Sequence, residues 1–156
     1  MIFMRIKNYI MKKIMTVIFS LLGIGVILIT LQSHVIAKVS TSNRNLGQKG
    51  KVIYEQTCLP CHQADAGGVP GMNPPLQKNP YVQGPPAKLI GIVLQGLNDG
   101  VEIDGETYSN PMPPFSTVLK DQEIADVLSY LRSHFGNKAG PISLSQVTKI
   151  RQSLKK

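Results

Sequence analysis

The sequence predicts a mainly α fold, three to four helices separated by long Pro/Gly-rich loops, with one small β-hairpin. Three observations carry this. Ile124, Val127, Leu128 and Leu131 recur at i, i+3, i+4 and i+7, the apolar stripe of one helix face. Residues 66–86 hold six of the eleven prolines and four glycines, which forbids a long helix there. Asp104-Gly105 stands between Val-Glu-Ile and Glu-Thr-Tyr, the strongest short signal for a two-residue hairpin turn.

From the N-terminal side, Leu46–Thr57 reads as a short helix with Val52, Ile53 and Tyr54 as its apolar content, and Gly47 and Gly50 as points where another element can approach closely. Residues 66–86 read as an ordered loop. Ala87–Leu97 reads as a second helix, entered after Pro85-Pro86, with Leu89, Ile90, Val93 and Leu97 at helical spacing. Val101–Tyr108 is the hairpin, and Asn110–Phe115, with three prolines, is irregular. Asp121–Phe135 is the clearest helix, with Asp121 as its N-terminal cap and Gly136 as its stop. A last short helix spans Leu144–Leu154, with its basic residues toward the C-terminal end.

The N-terminal region has a different character. Arg5, Lys7, Lys12 and Lys13 precede Ile14–Leu31, an uncharged and mostly apolar run, and Val35-Ile36-Ala37 fits a small-residue cleavage site. The run is long for a signal peptide and at the lower limit for a membrane span. Residues 1–37 are therefore a signal peptide or a retained N-terminal membrane anchor. Both readings export the remainder of the chain, to the periplasm or the outer face of the cytoplasmic membrane. Met11-Lys12-Lys13 also makes a normal leader start, so translation from Met1 or Met11 stays open. Residues 38–45 are polar and read as a linker.

Charge narrows the function classes. Half of the formal net charge of +8 lies in the leader; cut after Ala37, the chain keeps thirteen of seventeen basic residues against nine acidic ones, a net +4. No dense basic stripe interleaved with aromatics is present, which argues against a nucleic-acid binder. Aromatics make up 6% of the chain and Trp is absent, so a small domain needs another source of core.

That source is indicated by Cys58-Leu59-Pro60-Cys61-His62. C-x-x-C-H is the attachment pattern of a c-type haem: each thiol adds across one vinyl group, and the histidine binds iron from the proximal side. The competing chemistries fit less well. Thiol redox belongs near a βαβ pattern, which is missing. Zinc needs about four ligands, and beyond the leader the chain offers two Cys and two His, with His134 far away in sequence. A thioether on the other face would complete the iron site and suit electron transfer. Met112, in Asn-Pro-Met-Pro-Pro, is the favoured sixth ligand; Met72, His134 or an open site remain the alternatives.

These residues resemble class I cytochrome c, from about Leu46 to Gly136. Cys58, Cys61, His62 and Met112 match the family's attachment and ligand positions. The resemblance implies a fold of helices around one haem, with a cytochrome c domain at 46–139 and a short helix or tail at 140–156. It also implies that Gly50 and Tyr54 on the first helix cross Tyr130 on the last, and that the carbonyl of Pro74 or Pro75 meets the proximal imidazole. Leu89, Tyr108 and Phe115 are expected to line the haem pocket. Val101–Phe115 and the tail, Gly140-Pro141 then Ser145-Gln146-Val147, are similar to a subgroup that includes free carriers and cytochrome domains attached to periplasmic dehydrogenases, nitrite reductases and haem–copper oxidases. The function implied is one-electron transfer to and from redox protein partners, with no substrate turned over. The alternatives are a membrane-anchored subunit of a larger dehydrogenase or oxidase complex, held through residues 14–31, and a gas-sensing or peroxidase-like haem protein with an open sixth site.

Overall fold

The computed structural model describes residues 11–13, 15 and 47–155. The chain divides into two compact units, Met1–Asn43 and Arg44–Lys156. In the first, residues 11–13 and 15 are helical; the rest of the leader expected at 1–37, and the linker at 38–45, lie outside the described residues. Among the described residues no helix is long and apolar enough to cross a membrane.

The second unit is mainly helical with one two-stranded antiparallel sheet. Residues 47–57 form the first helix, α1. A single turn, α2 (Leu59–His62), comes immediately after it. Pro60 lies in its first turn, where a missing N–H costs nothing. The loop beyond is ordered, as expected. The Ala66 carbonyl accepts from the N–H groups of Leu76 (2.8 Å) and Gln77 (3.1 Å), closing the loop at its base. One feature was not expected, a single turn α3 (Pro80–Gln83). The Asn79 side chain caps it by accepting from Tyr81 and Val82 N–H, and Pro80 supplies a helical φ.

Helix α4 (Pro86–Gln95) stops short of the expected Leu97, because Gly96 adopts φ +75°. Strands β1 (Val101–Ile103) and β2 (Glu106–Tyr108) pair Val101 with Tyr108 and Ile103 with Glu106. Asp104 (φ +53°) and Gly105 (φ +81°) both take left-handed conformations, as a tight I′ turn demands.

Helix α5 (Asp121–Ser133) corrects two expectations. Asp121 does not cap it: the Glu123 carboxylate reaches back to the Lys120 N–H (2.7 Å), while Asp121 accepts from Thr148 and Arg151. The helix also ends two residues before Phe135, because Phe135 and Gly136 both have positive φ and the Asn137 amide donates to the Leu131 carbonyl. Helix α6 (Leu144–Ser153) begins at Ser143, whose hydroxyl accepts from Gln146 N–H while the Gln146 side chain accepts from the Ser143 N–H. It packs on α4 and α5.

The core joins Tyr54 of α1, Ile90 and Leu94 of α4, Ile124, Val127 and Leu128 of α5, and Val147 of α6, all nearly or fully buried. The join between α1 and α5 depends on Gly50. A Cβ there would lie 2.3 Å from the Asp126 carbonyl oxygen and 2.5 Å from the Tyr130 Cβ. Tyr54 and Tyr130 pack beside it with ring centroids 5.9 Å apart, and Phe135 completes the cluster at 5.2 Å from Tyr54. Gly47, read in the same way from the sequence, has nothing among the described residues within 4 Å of its Cβ position.

Candidate functional site

Helix α1 and the turn α2 deliver the C-x-x-C-H residues as one rigid piece. Cys58 N–H donates to the Tyr54 carbonyl (2.9 Å), and Cys61 and His62 N–H both donate back to Cys58 (3.2 and 2.9 Å). This winding brings Cys58, Cys61 and His62 to the wall of one cavity. Cys61 is exposed at the rim, Cys58 is half-buried, and His62 is buried. Burial pushes the Cys58 thiol pKa up, which keeps it protonated.

His62 is oriented from behind. Its Nδ1 lies 2.8 Å from the Pro74 carbonyl oxygen, which settles the choice between Pro74 and Pro75. A carbonyl only accepts, so Nδ1 carries the proton and Nε2 keeps a free lone pair. Burial lowers the imidazole pKa, against the smaller opposite effect of the Pro74 bond. Both the tautomer and the neutral state are those of a metal-ligating histidine.

The cavity is largely apolar. Leu89, Tyr108 and Phe115 line it, as expected, together with Val93 from α4 and Leu128 and Leu131 from α5. Met112 also lines it, whereas Met72 is half exposed and neither it nor His134 is part of the lining. His134 instead stacks on Tyr130 at 4.1 Å, with its Nδ1 on the Tyr130 carbonyl. Met112 is held by its backbone: it donates to Leu97 (2.8 Å) and accepts from Leu97 (2.9 Å) as an isolated bridge.

The segment carrying Pro74 and the segment carrying Met112 are also tied together. Ser109 and Asn110 N–H donate to the carbonyls of Gly71 and Met72 (3.2 and 3.1 Å), and the Asn110 amide donates to Asn73 Oδ1 (3.2 Å). Neither this tie nor the Leu97 bridge was legible in the sequence, because irregular segments leave no periodicity to read. Tyr81 and Val82 of α3 escaped notice as lining residues for the same reason.

A planar hydrophobic group with two electrophilic substituents and a metal fits this arrangement. The wall is apolar, two thiols stand on one turn, and a nitrogen donor and a sulfur donor face one cavity. Among the described residues no cluster of three or more His, Cys, Asp or Glu is set to hold a bare metal ion.

Comparison with known proteins points the same way. The cytochrome c family matches residues 47–135, more than half of the chain. The chain is 35% identical over 121 residues to an alcohol dehydrogenase (quinone) cytochrome c subunit of Gluconacetobacter polyoxogenes, covering 75% of this chain and 25% of that protein. It is 34% identical over 111 residues to cytochrome c-552 of Thermus thermophilus, covering 65% of this chain and 83% of that one. It is 31% identical over 93 residues to the cbb3-type cytochrome c oxidase subunit FixP of Azorhizobium caulinodans, covering 59% of this chain and 30% of that subunit. The chain thus spans about a quarter of the length of the dehydrogenase subunit it matches.

Proposed function

The chain belongs to the cytochrome c family, electron carriers with covalently bound haem c that are not themselves catalytic, and from that premise we propose that it is an exported one-electron carrier with His/Met-ligated iron. Cys58 and Cys61 would hold the haem through two thioethers, and His62 and Met112 would ligate its iron. Bound there, haem supplies an iron that alternates between ferric and ferrous.

The protein's own part is to fix and seal the site. Pro74 holds the His62 ring in the tautomer that presents Nε2. The Leu97 bridge holds Met112 against the cavity. The apolar wall excludes water, and a thioether ligand favours the ferrous state, so the potential is raised. The observation that carries this reading is that Cys58, Cys61, His62 and Met112, fifty-four residues apart at the extremes, line one apolar cavity.

We place residues 46–139 as the cytochrome domain, 140–156 as its C-terminal helix and tail, 38–45 as a linker, and 1–37 as the leader that exports the chain to the periplasmic side. A second reading is favoured by the relatives, several of which are cytochrome subunits of dehydrogenases or an oxidase. In it the leader stays as a membrane anchor, and the domain passes electrons within such a complex.

The test is optical spectroscopy of the protein made in an export host, as wild type and Met112→Ala. Acid-stable haem and a sulfur-to-iron charge-transfer band that vanishes in the variant are expected. Absence of haem, or survival of the band, overturns the assignment. Carbon monoxide binding to reduced wild type at neutral pH would instead indicate an open sixth site.

A further inference from the structure

The end of α4 runs against the Met112 segment as a continuous backbone contact. Leu97 and Met112 exchange both hydrogen bonds, and Phe115 N–H donates to the Val93 carbonyl (2.9 Å). Gly96 lies at the closest point. A Cβ on Gly96 would sit 2.4 Å from the Met112 carbonyl oxygen, 2.9 Å from Pro114 N and 3.0 Å from the Pro113 carbonyl carbon. All three are backbone atoms in a segment stiffened by three prolines, so no side-chain rotation relieves the contact.

We infer that Gly96 is a positioning residue for the sixth iron ligand: its missing side chain sets how deeply Met112 enters the cavity. This inference rests on Met112 as the ligand. A glycine that merely ends a helix needs a left-handed φ and nothing more. Gly136 is such a residue. It has nearly the same φ (+76° against +75°), just beyond α5, and its Cβ would meet only Lys78 side-chain carbons, from 3.0 Å. A flexible lysine can move aside; the Met112 backbone cannot without carrying its side chain with it.

The experiment compares holo-protein as wild type, Gly96→Ala and Gly136→Ala, reading the sulfur-to-iron band, carbon monoxide uptake by the reduced form and the unfolding midpoint. Both variants are expected to unfold more easily. Only Gly96→Ala is expected to lose most of the band and take up carbon monoxide. Gly96 pairs its positive φ with ψ −171°, a combination essentially reserved for glycine. If Gly96→Ala does not fold, the double variant Gly96→Ala/Pro113→Ala, in which the opposing segment is freed to give way, carries the same test, and an undiminished band in it overturns the inference. An undiminished band in the Gly96 variant, or equal loss in Gly136→Ala, overturns the inference while Met112 stands. A wild type without the band overturns the Met112 reading and this inference together.

Discussion

At Gly50 the physical preference of a helix is reversed. In an open helix, alanine is better than glycine by about 1 kcal/mol. Here a Cβ would fall within 2.5 Å of the Asp126 carbonyl and Tyr130. Gly50→Ala is therefore expected to destabilise by about 2 kcal/mol or more, measured from the denaturant midpoint of holo-protein. A midpoint raised by the substitution would mean the α1–α5 contact is looser than described. Gly50, Tyr54 and Tyr130 were legible because the family's helix-crossing pattern could be laid over the sequence. Gly47 has no such contact among the described residues, although it is the same residue type on the same helix: glycine alone does not say whether anything approaches it. Met112 was separable from Met72 by its flanking prolines and its distance from His62. Pro74 and Pro75 were inseparable, since which carbonyl meets an imidazole depends on the turn at residues 69–73.

Helix α6 is tied to the start of α5 by Asp121, whose carboxylate accepts from Thr148 and Arg151. The Thr148 hydroxyl first, and then Arg151, hold its pKa below the ordinary carboxylate value. A pKa lower in the folded than in the unfolded chain stabilises above the unfolded value, near pH 4, and that contribution fades as pH falls through the folded value. Asp121→Asn is expected to cost about 1 kcal/mol at pH 7, the scale of a partly exposed charge-assisted bond. The gap from wild type should close under acid, and chemical denaturation at both pH values checks it. The expected Asp121 cap failed for the same reason: Asp at a helix start is a good local cap, but a partner 27 residues away in sequence competes for its oxygens. Other elements were more legible. Asp-Gly dictated the hairpin because both residues accept left-handed φ. The turn α3 was hidden inside a proline-rich stretch, since the proline pattern that forbids a long helix does not forbid a single capped turn.

At the scale of the molecule, the cavity divides the interior. Leu89, Val93, Leu128 and Leu131 are buried in the core and also line it, so among the described residues part of the apolar surface of α4 and α5 is turned to the cavity. The shortage of aromatics in the sequence already pointed to a core completed from outside the chain. Cys58→Ala/Cys61→Ala is expected to yield a chain with partial helicity and no cooperative unfolding, read by far- and near-ultraviolet circular dichroism. A sharp transition in that double variant would show that the protein core suffices alone. The packing of Gly50 against Asp126 and Tyr130 has one more consequence. It clasps two stretches that lie seventy-six residues apart along the chain, so a single protease nick in the loops between them would leave both pieces fastened to each other.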